Sequence, residues 1–298
     1  MVVQMQCVMV LDGGVQVADW MQSWRVHNPS FDTWFWTDSA VRRLLELYFP
    51  ASLVELYDSY PLAINRADVR KYIILFTVGG LVADLDVQCL RPVRPLLHWL
   101  QLSRHSCVLS QEPALHREFL YSAGGSEAYV STAIIACRPQ HPFMRFVLNL
   151  LPRYAANAEK LRWNENVLNS TGPTFLTDAL RLYNATHRHR QTGDCSQSAA
   201  AAAAADDDDG QDLLVAPSRW FLPTYDPLHT AHFQTLCLLT GTRSRSKRRR
   251  AGCENVLHNV AYNDSYTTHH WLHSWADGFV HAPVDNVTRL TRITRLIS

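Results

Sequence analysis

Apolar residues recur along this chain at two periods, and the changes of period predict its elements. The aromatic run Phe31–Trp36, bounded by Asn28-Pro29 and Thr37-Asp38, predicts a buried strand leading into a helix N-cap. Val41, Leu44, Leu45 and Tyr48 follow at i, i+3, i+4 and i+7, the spacing of one helix face, until Pro50 ends the pattern. That spacing returns in Val69, Tyr72, Ile73 and Phe76, with Gly79 placed where a left-handed residue closes a helix. Leu81–Ala83 predicts the next strand, so Asp84 and Asp86 fall at its C-terminal end, where α/β sheets hold ligands. Phe143, Phe146, Val147 and Leu150 predict a third helix, opened by Pro142. Leu176, Ala179, Leu180 and Tyr183 predict a fourth after Thr171-Gly172-Pro173. Helices alternating with short strands imply an α/β chain.

Two stretches interrupt this order and read as low-complexity insertions: 191–211, with its alanine and aspartate runs, and 240–252, with the basic run Arg243 through Arg250. The basic run reads as a solvated loop ahead of a nuclear-localisation or polyanion-binding patch, and the tail around Arg289, Arg292 and Arg295 as an exposed helical end ahead of a segment lying on a membrane surface. The rest, 1–298, reads as one domain. Over 298 residues, 47% are hydrophobic and 18% charged, enough apolar material for a large core. The net charge of +1 leaves no global field to recruit nucleic acid, so specificity has to come from a local site.

The seven cysteines form no CxxC pair, which argues against structural zinc. Asn-x-Ser/Thr sequons begin at Asn169, Asn184, Asn263 and Asn286, more than the one or two expected by chance (~1–2), which leans toward the secretory lumen. No segment approaches the roughly 20 apolar residues of a membrane span, and Met1–Leu11 lacks the pattern of a leader. Any membrane association is expected to come through a segment absent from this sequence.

Two carboxylates one residue apart at a strand end can aim oxygens at one hard cation and hold it beside a diphosphate. Such an ion neutralises charge on a departing nucleoside diphosphate. An aspartyl phosphohydrolase would need Thr or Val where Gln88 stands, and a helix-loop-helix calcium site would need oxygen ligands where Val87, Cys89 and Leu90 stand.

The run Asn65–Val93, NRADVRKYIILFTVGGLVADLDVQCLRPV, carries Arg-Ala-Asp, a helix ending in Gly-Gly, Asp-x-Asp and Leu-Arg-Pro in that order. It resembles glycosyltransferase family 32, the enzymes with a sugar-binding region containing a DXD motif. Trp24, Asn28-Pro29 and Trp36-Thr37-Asp38 resemble that family's upstream segment, and His141-Pro142, Thr171-Gly172-Pro173, Phe221-Leu222-Pro223 and His269-His270-Trp271 its downstream landmarks.

The resemblance implies a GT-A fold, Rossmann-like and mostly parallel, with Mn²⁺ or Mg²⁺ as cofactor and retention of anomeric configuration. It implies mannose carried from GDP-mannose to a glycan or glycolipid such as a sphingolipid, in the Golgi or another secretory lumen. A UDP-sugar donor carrying galactose or N-acetylglucosamine stays open, as does a catalytically impaired binding relative. Carried over by position, Asp86, Asp84 and His269 are expected to hold the metal, with His270 competing for the last role. Trp36, Asp38, Arg66, Asp68, Lys71 and Asp84 are expected at the donor, and Asp84 and Asp86 to be catalytic. Glu112 is a candidate acid on the acceptor side. Lys71 stands where relatives carry Arg, keeping the charge without the bidentate fork. The opening Val2–Val15 shows none of the strand pattern with which relatives begin, so no first strand is expected there.

Overall fold

A computed structural model describes residues 2–6, 14–119, 128–158, 163–191, 212–240, 253, 256, 261–272 and 295–297. In chain order these form β1 (Val2–Gln6), α1 (Gly14–His27), β2 (Asp32–Trp36), α2 (Asp38–Tyr48), α3 (Ala51–Ser59), α4 (Ala63–Thr77), β3 (Gly80–Ala83) and β4 (Val87–Cys89). There follow α5 (Arg94–Leu102), β5 (Cys107–Gln111), α6 (Ala114–Phe119), β6 (Val130–Cys137), α7 (Pro142–Ala158), α8 (Trp163–Ser170) and α9 (Pro173–Gln191). The last are β7 (Leu213–Ala216), α10 (Ser218–Phe221), α11 (Pro227–Thr240), β8 (Thr267–His269) and β9 (Arg295–Ile297).

Seven strands make one sheet in the order β7-β5-β6-β3-β1-β2-β9, and β4 pairs with β8 in a separate two-stranded sheet. The large sheet is mixed but mostly parallel. β1 runs parallel to β2 and β3, β2 to β9 and β5 to β7, while β6 is antiparallel to both β3 and β5. Because strand side chains alternate faces, Val82, Leu109 and Ile135 pack under α2, α3, α4, α7 and α9. Leu81, Ala83, Val108 and Ile134 pack on the other face under α1, α5 and α10. Helices therefore cover both faces of the sheet, the α/β class expected.

Several expectations need correction. The chain does open with a strand: β1 is central in the sheet, lying between β2 and β3. Pro50 ends α2 but also starts a further helix, α3, that the apolar pattern did not separate. In α2, Thr37 is the N-cap, accepting from the Ala40 amide at 3.2 Å, and Val41 and Leu45 are buried, yet Tyr48 is exposed. Arg295 lies in an edge strand rather than a helical end, whereas Arg289, Arg292, Asn286 and the insertions 192–211 and 241–252 lie outside the described residues.

The end of α4 fixes how β3 begins. Gly79 has φ +70°, and its amide and that of Val78 donate to the Ile74 carbonyl at 3.1 and 2.8 Å. A Cβ at Gly79 would sit 2.5 Å from Pro139 Cδ, so both the backbone sign and the space demand glycine. The strand that leaves this turn runs straight to Asp84.

Candidate active site

β3 ends at Ala83, where the Asp84 amide donates to the Ala133 carbonyl (2.9 Å) and the Val87 amide donates back to the Asp84 carbonyl (3.0 Å). This tight turn sends the two carboxylates of the Asp-x-Asp motif to different partners. Asp84 takes the Lys71 ammonium at 2.8 and 2.9 Å on its two oxygens. Lys71 also reaches Asp68, one turn earlier on α4, at 3.3 Å.

Around this pair lies a buried polar network. Thr171 Oγ1 donates to Asp68 Oδ2 (3.3 Å), Asn65 Nδ2 donates to Thr171 Oγ1 (3.1 Å) and Ser170 Oγ (3.0 Å), and Tyr72 donates to the Thr171 carbonyl (2.6 Å). α4 carries these groups because it is buried on nearly every side: Asn65, Asp68, Arg70 and Lys71 are as enclosed as its apolar residues. The Lys71 and Asp68 side chains are 2% and 4% exposed. Burial pushes the Asp68 carboxyl up to about 6, with Lys71 opposing and Asp84 adding to the rise. Burial acts to discharge Lys71, but Asp84 and Asp68 outweigh it and hold the ammonium above its ordinary value.

Asp86 faces a segment from the far end of the chain. β4 pairs antiparallel with β8 so that Val87 lies opposite His269. His269 Nε2 then stands 3.2 Å from Asp86 Oδ1, the Leu272 amide donates to Asp86 Oδ2 at 3.1 Å, and the His270 amide donates to the Asp86 carbonyl at 2.9 Å. Burial favours the neutral Asp86 acid, but the charge and hydrogen bond of His269, with the Leu272 amide, hold the carboxyl well below the usual range. Burial likewise acts against imidazolium at His269, and Asp86 reverses it, so this histidine is raised. His270 points elsewhere: its ring stacks on Trp20 at 3.9 Å and its Nε2 meets Gln88 Oε1 at 2.9 Å.

The remaining predicted residues divide. Asp38 is joined to the site helix through an ion pair with buried Arg70, a residue the apolar spacing hid among its polar neighbours. Arg66 donates instead to the Tyr60 carbonyl. Trp36 is a core residue, 3% exposed, and packs in the cluster under α2 and α4. Glu112 is buried with its Oε2 3.0 Å from His116 Nδ1, and the His116 ring meets Trp271 edge-on at 4.8 Å. Sequence reasoning missed Asn65, Ser170 and Arg70 outright and saw Thr171 only as a turn signal and part of a family landmark, with no role in the site. The one legible hint was the sequon hydroxyl pair Ser170-Thr171 just before a glycine.

The family model described as "Glycosyltransferase sugar-binding region containing DXD motif" matches residues 14–106, from α1 through the start of β5. That segment is similar to a DXD-motif sugar-binding region. Outside it, curated relatives extend the match. Inositol phosphoceramide mannosyltransferase 3 of Schizosaccharomyces pombe is 35% identical over 150 residues, covering 50% of this chain and 36% of its own length. Mannosyl phosphorylinositol ceramide synthase CSH1 of Saccharomyces cerevisiae is 29% identical over 159 residues, 52% of this chain and 36% of its own. The chain thus spans little more than a third of either relative. Among solved structures, the PaToxG glycosyltransferase matches at a TM-score of 0.44 and 12% identity, over 89% of this chain and 87% of its own.

The DXD region contributes Asp68, Lys71, Asp84 and Asp86, while His269 and Thr171 come from outside it. Among the described residues no three His, Cys, Asp or Glu side chains converge as a metal site. Asp86 Oδ1 and His269 Nε2, however, are 3.2 Å apart, close to the ~3 Å between neighbouring ligands of an octahedral ion bound at about 2.1 Å. Two protein donors suit an ion such as Mg²⁺ or Mn²⁺, which completes its shell with substrate phosphates and water. Asp84, neutralised by Lys71, is the neighbour of that pair rather than its third equal member.

Proposed function

We propose that the chain is a glycosyltransferase of GT-A type that moves a sugar from a nucleotide donor to a glycan or glycolipid acceptor, using a divalent ion held by Asp86 and His269. The observation that carries this reading is the β4·β8 pairing, which brings His269 onto Asp86 beside the strand end of the DXD region. When bound, the ion would supply Lewis-acid stabilisation of the departing diphosphate.

The chain's own residues do the rest. Asp68, with one oxygen on Lys71 and the other on Thr171, is assigned to the sugar hydroxyls as the family resemblance implies. Burial raises the Asp84 carboxyl, and Lys71 opposes that rise and fixes the spacing of Asp68 and Asp84. The buried Asn65–Thr171–Tyr72 bonds hold Asp68 in one geometry, so the sugar meets a preorganised surface. Mannose from GDP-mannose is the donor we assign, since both named relatives are mannosylating enzymes of inositol phosphoceramide. Retention of configuration follows from the same family resemblance. The disulfides Cys107–Cys137 and Cys237–Cys253 suit an oxidising, lumenal compartment such as the Golgi.

The test is a thermal-shift comparison of GDP, UDP, GDP-mannose and UDP-sugars, each with and without Mn²⁺, followed by transfer of labelled mannose to inositol phosphoceramide or a mannose oligosaccharide. A donor at a hundred times its Kd raises stability by about 2.7 kcal/mol. We expect a manganese-dependent shift with GDP and GDP-mannose, lost in His269→Ala. A shift with UDP alone would reassign the donor, and no shift with any nucleotide would overturn the transferase reading.

A further inference from the structure

Between Val87 and Gln111 the sequence has no aspartate or glutamate, but three arginines and two histidines. α5 lies within this stretch and shows three stripes. Leu96 and Leu100 face the core, and Arg94, His98 and Gln101 line a groove of about 730 Å³ against the start of β3 and β5. The third stripe, Pro95, Trp99 and Leu102, faces solvent: Trp99 is 46% exposed and Leu102 70%. Trp99 is nevertheless held in place, its ring stacked against His105 at 6.2 Å and meeting Trp220 edge-on at 6.0 Å.

Arg104 and Arg138 complete the groove, and no carboxylate lines it. Arg138 leans toward Asp212 at 4.0 Å and donates to Ser106 Oγ at 3.1 Å. The exposed apolar end of α2 has a different setting. Leu47 and Tyr48, at the end of α2, sit beside Glu46, which with Asp58 is tied to Arg42.

We propose that the α5 face is a docking surface for an anionic phospholipid bilayer. Arginines beside an exposed, immobilised tryptophan and a leucine combine attraction to anionic headgroups with apolar insertion at the interface. The groove reaches Gly80, the first residue of β3, and so lies at the opposite end of that strand from Asp84. Docking there leaves the DXD turn uncovered.

The experiment is cosedimentation of the full chain with phosphatidylcholine vesicles, with and without phosphatidylserine, at rising salt. Binding is expected to require phosphatidylserine and to weaken with salt. Each of Arg94→Gln, Arg104→Gln and Arg138→Gln is expected to weaken it about fivefold, and the three together roughly a hundredfold. Trp99→Ala with Leu102→Ala should remove the part that survives high salt. Melting temperatures equal to wild type show that each variant is folded, and the single variants keep the test decisive if the triple one is not.

Equal binding to neutral vesicles would overturn the proposal. So would binding unchanged by the arginine variants but abolished by neutralising Arg243–Arg250. Full competition by inorganic phosphate would replace the surface with a site for a soluble anion.

Discussion

Replacing Lys71 by Met removes the ammonium that Asp68 and Asp84 are both bonded to, at 3.3 and 2.8 Å, in a place where the lysine side chain is 2% exposed. Breaking a buried ion pair from one side costs about 3–5 kcal/mol, because the remaining charge stays buried without compensation. In a protein of this size that is a fall in Tm on the order of 10 °C. The loss should depend on pH. Asp68 already sits at about 6 in the folded chain, above the ordinary carboxylate value of about 3.9, so the folded state binds more protons between those values. Its contribution therefore diminishes stability as pH rises through that window, and loss of Lys71 moves the window upward. The deficit of Lys71→Met should be full near about pH 8 and shrink toward about pH 5, where Asp68 takes up a proton. Denaturant unfolding at both values measures it. A loss below about 1 kcal/mol, or the same loss at both pH values, would refute the account of Lys71 as the buried counter-charge. Asp68→Asn in the Lys71→Met background should recover part of the loss, since it removes one of the two stranded carboxylates.

Asp86→Asn should leave the chain folded but with a lower melting temperature, since it strips His269 of its charged partner, and should abolish the manganese-dependent shift with GDP and lower transfer at least about a hundredfold. Cys107→Ser with Cys137→Ser opens a crosslink between residues 30 apart and should cost about 3–4 kcal/mol, read by the denaturation midpoint with and without reductant. Gly79→Ala places a Cβ 2.5 Å from Pro139 at a positive φ and should destabilise by more than about 1 kcal/mol, again from the midpoint.

The parts of the fold legible in the sequence are those set by local pattern. The α4–Gly79–β3 passage was visible because apolar spacing, a left-handed glycine and an apolar strand occur within about twenty residues, in an order that local physics alone dictates. β1 was not, because five residues, Val2 to Gln6, are too short a signal and their place is set by pairing with strands far along the chain. The same reason hid β9. In the site, Asp84, Asp86, Asp68 and Lys71 were legible through their motif, and His269 through family order. Arg70 and Asn65 were not, because periodicity assigns polar residues on a helix to solvent, and α4 has no solvent face. Trp36 was named for the donor and lies instead in the core, as aromatic residues in a parallel strand usually do.

The bond from the Leu272 amide to Asp86 joins positions 186 residues apart. A chain emerging from the ribosome acquires β1, β2, β3 and the helices around them long before Thr267 to Leu272 exist, and domains condense from the N-terminal side as they appear. During that interval Asp86 has neither His269 nor the two amides that fix it, so a nascent chain with most of its core in place has not yet assembled the proposed ion site. Closing so long a loop costs only slightly more than closing one half as long. Completion of the proposed site is thereby coupled to completion of the chain through residue 272: a truncation before Thr267 would leave much of the sheet intact and Asp86 without its histidine.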